Sequence, residues 1–199
     1  GRNWIGIDIT HLAIGVIEKR MKDAFPEITF EVHGTPKDLD GARDLANRSK
    51  YEFQWWACSL VNAQPYQGKK KGADSGIDGL LYFQDDNKGA KKIVVSVKGG
   101  ENVTVSMVRD LAHVVEREKA QIGLFVTLAN PTKPMLTEAT STGYYESASG
   151  NSFPKIQILT IENLLSGAEF PRYPDLSRGG LSFKKAKREK QGGKQHELL

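Results

Sequence analysis

Cysteine is almost missing: Cys58 stands alone in 199 residues, so the chain can form no internal disulfide. It lies in an apolar, aromatic stretch, and a reduced, buried thiol is expected. Histidine is nearly as sparse. His11, His33, His113 and His196 are scattered, and no zinc-ligand spacing exists. No apolar run approaches the length that spans a bilayer. The N-terminal stretch GRNWIGIDIT lacks the basic, apolar and small-residue order of a signal peptide. There are no internal repeats. Together these absences exclude a disulfide scaffold, a zinc module and a membrane-spanning helix, and the expected location is the cytoplasm. The first residue is Gly rather than Met, which suggests a fragment or a processed chain.

What is present is ordinary in bulk. At 39% hydrophobic and 26% charged the composition is that of a globular protein rather than a disordered one. The net charge of +4 leans toward polyanionic partners. That lean is weak, because Lys184, Lys185, Lys187, Arg188, Lys190 and Lys194 all fall in the C-terminal tail.

Periodicity divides the chain. NWIGIDI (3–9) reads as a short strand, and Thr10 can cap a helix whose face is Ala13, Val16, Ile17, Met21 and Ala24. Pro26 ends it. ITFEV (28–32) alternates as a strand does, and KDLDGARDLAN reads as a helix. This first unit is strand, helix, strand, helix, as in a parallel α/β layer. Ser49 can then cap a helix carrying Phe53, Trp56, Ala57, Leu60 and Val61. Two strands, 77–83 and 92–97, are joined by the turn QDDNKGAK, and the short connection favours an antiparallel hairpin. A helix at 106–119, a doubly buried strand at 122–129, a short helix at 135–142, a strand at 156–161 and a last short helix follow. The second unit is therefore an α/β mixed sheet with helices on both faces. The expected organisation is residues 1–48, 49–167, and a charged tail at 168–199.

The hairpin carries charges that strand interiors rarely accept. GADSGIDGLLYF opens on Asp74 and Asp78, and KKIVVSVKGG closes on Lys98. Burying an unpaired charge is costly. With a period of two, Ile93, Val95 and Val97 share the core face, while Ser96 and Lys98 share the other. Antiparallel pairing then lets Asp78 approach Ser96 and Lys98. A carboxylate, a neighbouring oxygen ligand and a lysine suit metal-assisted phosphodiester hydrolysis. A hard cation such as Mg2+ takes a few oxygen ligands and keeps its waters, and a lysine can offset charge in the transition state. The nearby Gly72, Gly76, Gly79, Gly99 and Gly100 are expected to let backbone approach a bulky ligand. Solvated strand ends are the competing reading for any one of these charges taken singly.

The spacing Gly72-Ala73-Asp74-Ser75-Gly76-Ile77-Asp78, followed by Ser96-Val97-Lys98, resembles the core of the Mrr-like restriction endonuclease domains of the PD-(D/E)xK nuclease superfamily. YEFQWWACSLV is similar to that family's first helix, and 108–135 with 154–165 to its later half, so the resemblance runs from about Ser49 to Gly167. It implies a restriction-endonuclease-like fold and hydrolysis of double-stranded DNA with Mg2+ or Mn2+. Asp78 would be the metal-binding acid and Lys98 the catalytic lysine. Ser96 stands where the family has Glu or Gln, and Gln54 where the first helix often has Glu, although Glu52 is close by. Asp74, Ser96, Gln54 or Glu52 would complete the metal site. Should none do so, the domain is an inactive, nuclease-like DNA-binding module.

GRNWIGID carries a second resemblance, over residues 1–48, to the cofactor-binding half of the amino-methylating (N6-adenine or N4-cytosine) DNA methyltransferases. Asp8 matches the acid that meets the ribose of S-adenosylmethionine. Neither a Phe-x-Gly-x-Gly loop nor an Asp-Pro-Pro-Tyr motif occurs in the chain. The cofactor would therefore be held only together with a missing upstream region. The implied setting is a restriction–modification polypeptide. Lys69, Lys70 and Lys71, in the glycine-flanked loop just before Asp74, are candidates for phosphate contact. Phe53 and Trp56 are expected in the core. A homodimer is one way such a domain could cut both strands.

Overall fold

The computed structural model describes residues 4–8, 10–66, 76–86 and 89–174. Thr10 begins the first helix, α1 (His11–Ala24), by accepting a hydrogen bond from the Ala13 amide at 3.3 Å. Asp38 caps α2 (Leu39–Arg48), and Ser49 caps α3 (Lys50–Leu60) in the same way. These are the side chains that best satisfy the unpaired amides of a first turn. The strands are β1 (Gln64–Pro65), β2 (Gly79–Gln84), β3 (Ala90–Lys98), β4 (Ile122–Thr127), β5 (Tyr144–Glu146), β6 (Ser152–Pro154) and β7 (Ile156–Thr160). The later helices are α4 (Val105–Arg117), α5 (Lys133–Ser141) and α6 (Ile161–Ser166).

Five strands form one mixed sheet in the order β1-β2-β3-β4-β7. The first three are antiparallel, and β3, β4 and β7 run parallel. Helices supply both parallel crossovers, as that geometry requires. Ile93, Val95 and Val97 of β3 face Phe53, Trp56 and Ala57 of α3, with α2 and α6 on the same side. Val94 faces the opposite layer, where Val108, Leu111 and Val115 of α4 meet Met135 of α5. Every residue of β4 is buried, as its unbroken apolar run requires. Phe53, Phe83 and Phe125 are the largest fully buried side chains. Each contributes roughly 1.5–3 kcal/mol by leaving water.

The N-terminal residues depart from the sequence reading. Neither 4–8 nor 28–32 forms a strand. The two runs touch through Trp4 and Phe30, whose ring centroids are 5.7 Å apart, but no ladder joins them. Ile5 and Ile7 remain about nine-tenths exposed, at 89% and 90%. Period-two patterning alone does not make a strand; the backbone groups also need a paired neighbour. The helix α2 lies before residue 49, yet its Ala42 and Leu45 are buried in the core beside α3. The small β5–β6 hairpin was not anticipated at all. No helix among the described residues is long and apolar enough to cross a membrane.

Candidate active site

Two close approaches set the geometry. A Cβ on Gly79 would come within 2.7 Å of the Cys58 sulfur, and one on Gly99 within 2.9 Å of the Phe53 ring. The start of β2 and the end of β3 can therefore lie directly against α3. This corrects one expectation: the protein's own side chains, not a ligand, fill the space these two glycines leave.

Asp78 sits where β2 begins. Its amide donates to the Val95 carbonyl at 2.9 Å, continuing the ladder set by the Gly79–Val95 pair. Its side chain then reaches β3 again: Oδ2 accepts from the Val97 amide at 2.7 Å. On the other side Oδ1 accepts from Gln54 Nε2 of α3, also at 2.7 Å. The Cys58 thiol donates to the Asp78 carbonyl at 3.6 Å. Burial, and secondly the Asp78 charge, push the Cys58 pKa far up, so the thiol stays protonated.

Asp78 and Gln54 open into a cleft of about 220 Å³, also lined by Lys50, Lys98, Asn102 and Met107. Larger depressions exist, including one of about 960 Å³ beside the N-terminal residues. The small cleft is the candidate because it alone among them gathers a carboxylate, an amide and two ammonium groups.

The structure thus brings together three of the residues singled out in the sequence: Asp78, Lys98 and Gln54. Ser96 does not line the cleft and is only 4% exposed. Lys98, two residues further along, is the last residue of β3 and lines the cleft, whereas Ser96 is buried within the strand. Glu52 turns toward α1, with His11 Nε2 at 4.0 Å from its carboxylate. Asp74 and Lys69, Lys70 and Lys71 lie outside the described residues. Asp8 is exposed, and its Oδ1 accepts from both the amide and the hydroxyl of Thr10 at 2.8 Å, so it serves the turn that starts α1. Lys50 was missed in the sequence, although its four-residue spacing from Gln54 places both on one side of α3.

A metal can be tested against these donors. No group of three or more His, Cys, Asp or Glu side chains gathers among the described residues, so a fully protein-made cage is not available there. One carboxylate and one amide oxygen in an open cleft fit a hard cation that keeps most of its water. They do not fit zinc.

A family model described as a restriction endonuclease, the Mrr catalytic domain, matches residues 45–165. The chain belongs to the Mrr-type restriction endonuclease family. It therefore carries a nuclease domain of the PD-(D/E)xK superfamily. All four polar cleft residues, Lys50, Gln54, Asp78 and Lys98, lie inside the matched range, while α1 and Asp8 lie before it. Among solved structures, restriction endonuclease FokI is similar at 12% identity with a TM-score of 0.36, over 70% of this chain and 31% of that one. The chain thus spans about a third of the length of FokI. No curated protein matches it.

The Mrr-type domain holds a second acid–lysine cluster, at the other end of the β2–β3 hairpin. The Asp85 side chain is 1% exposed and accepts from Lys91 Nζ at 3.0 Å, from the Tyr145 hydroxyl, and from the Ala148 amide at 3.0 Å. Lys91 also reaches Asp86 at 3.2 Å and Tyr145 at 2.8 Å. Burial works to raise the Asp85 pKa, but the hydrogen bonds from Tyr145, Lys91 and Ala148 and the Lys91 charge hold it below the ordinary carboxylate value. Tyr145 and Ala148 belong to the β5–β6 hairpin and its turn, so this cluster ties that hairpin to the main sheet.

Proposed function

We propose that this chain is a Mg2+-dependent DNA endonuclease domain that hydrolyses phosphodiester bonds. The observation that carries the reading is the meeting of Asp78, Gln54 and Lys98 in one cleft. Asp78 and the Gln54 amide oxygen would hold the cation, with Asp74 a further candidate ligand. When bound, the cation polarises the phosphodiester and lowers the pKa of an attacking water. The Val97 amide and Gln54 Nε2 fix the orientation of the Asp78 carboxylate. Lys98 makes no ion pair among the described residues, which leaves its ammonium for the phosphate and for charge that develops during cleavage. The resemblance of residues 1–48 to a DNA methyltransferase supports a restriction–modification setting. Lys69 to Lys71 are proposed to meet DNA phosphates.

The test is incubation of plasmid DNA with the chain and Mg2+ or Mn2+, beside Lys98→Ala. Metal-dependent nicking or linearisation by the parent chain, lost in the variant, is expected. A second reading is a DNA-binding module without catalysis, favoured by the buried Ser96 at the position where the family has Glu or Gln. DNA binding that Lys98→Ala leaves intact, with no cleavage by either chain in either metal, would replace the first reading by the second.

A further inference from the structure

The charge inside the cleft is unusual for a site expected to attract a cation. Among the described residues its charged lining is Lys50, Asp78 and Lys98, two ammonium groups against one carboxylate. Asp78 already has both oxygens engaged, by Gln54 and by the Val97 amide. Lys50, like Lys98, makes no ion pair among the described residues; Lys98 is half-buried and Lys50, at the rim of the cleft, is exposed. It is the first residue of α3, where the helix end itself favours negative charge. Neither of the described acids nearest in sequence neutralises it. Glu52 is directed to His11, and Glu101 is exposed and outside the lining.

We propose that Lys50 is a further phosphate-binding residue of this cleft, acting with Lys98 to hold the DNA backbone beside Asp78 before any metal is bound. The proposal rests on the endonuclease reading of the site, but it concerns binding rather than cleavage. A cleft whose described lining is net positive takes the polyanion first, and the bound phosphate then supplies the negative charge that a cation needs. Lysine suits this task as a point charge. In the sequence Lys50 looks like one more basic residue at a helix start, and only its place in the lining separates it from the rest.

The experiment measures binding of a fluorescent DNA duplex to the full chain in EDTA, by anisotropy, across a series of salt concentrations. Lys50→Gln is expected to reduce the slope of log affinity against log salt by about 0.9, the value for one phosphate contact on a duplex. Over a fourfold rise in salt the variant then loses about 3.5-fold less affinity than the parent chain. Lys50→Arg should restore the slope. The double variant with Lys98→Gln should lose less than the product of the two single losses, because both groups hold the same short stretch of DNA backbone. A slope unchanged in Lys50→Gln, or losses that simply multiply, would overturn the proposal. An unchanged melting temperature in Lys50→Gln guards against a folding artefact. The outcomes stay separable. A chain that cleaves DNA but shows no Lys50 effect keeps the endonuclease and loses this residue. A chain that never cleaves, yet shows the slope change, keeps the residue and loses the endonuclease.

Discussion

The hairpin β2–β3 carries an acid and a lysine at each end, and the two ends have opposite fates. At one end Asp85 and Lys91 satisfy each other, with Tyr145, Asp86 and the Ala148 amide closing the group. At the other end Asp78 is held by an amide side chain and a backbone N–H, and Lys98 is left to the cleft. Residue types alone do not distinguish a structural tie from a reactive site. The distinction lies in who satisfies the carboxylate. A neutral donor orients it and preserves its charge for a ligand; a lysine consumes that charge.

The sharpest way to break this contrast is at the open end. Asp78→Asn keeps an oxygen for the Val97 amide but removes the charge, so cleavage should fall by about 100-fold or more while the fold persists. Plasmid cleavage rates and a thermal melt measure the two halves; a parental cleavage rate in this variant would refute the assignment. The closed end should respond the other way. Asp85→Asn leaves a buried amide among donors that a carboxylate had satisfied, at a cost of about 2–3 kcal/mol. For a chain of this size that lowers the melting temperature by roughly 4–12 °C. DNA cleavage per folded molecule should stay at the parental rate, and a matching drop in activity would mean the two ends are not separate.

Acid titration sharpens the same comparison. The folded pKa of Asp85 is depressed, so the stability it contributes is present above the ordinary value of 3.8 and is lost as pH falls through the folded pKa. The stability gap between the parent chain and Asp85→Asn should therefore be full at neutral pH and shrink once the pH drops below that value. Denaturant melts from pH 7 to pH 2 would show it; a gap independent of pH would remove the ionic part of the account. The smallest effect concerns Cys58, which is buried and has a raised pKa. A thiol reagent at pH 8 should leave it unmodified in the folded chain and label it fully in denaturant, as read by mass spectrometry.

Much of this was legible in the sequence, for identifiable reasons. Ser49 announced α3, the unbroken apolar run announced β4, and the alternation Ile93, Val95, Val97 picked out the face of β3 that packs on α3, while the other face, read as polar, is also covered, by α4. The same alternation placed Asp78 near Lys98 once the hairpin was granted. What the sequence hid depends on tertiary contact. Segments 4–8 and 28–32 have strand-like patterning but no ladder partner among the described residues. The three-residue strands β5 and β6 are too short to show a period, and their tie to Asp85 spans about sixty positions of chain. Ser96 alternates correctly with Lys98, but its burial follows from depth along the strand, which a period of two does not report. Gln54 looked like a substitute for an absent acid; its bond to Asp78 gives it a role in orienting the carboxylate as well.

The bond from the Val97 amide to Asp78 Oδ2 has a spectroscopic consequence. The carboxylate occupies the place that a backbone carbonyl would take in the next rung, so one amide proton reads the state of the acid directly. In a nitrogen-15 NMR spectrum the Val97 cross-peak should move with Asp78 ionisation and with divalent-ion loading, while the ladder amides around it hold still. The fold thus contains its own indicator, and site occupancy can be followed in the intact chain without substrate or label.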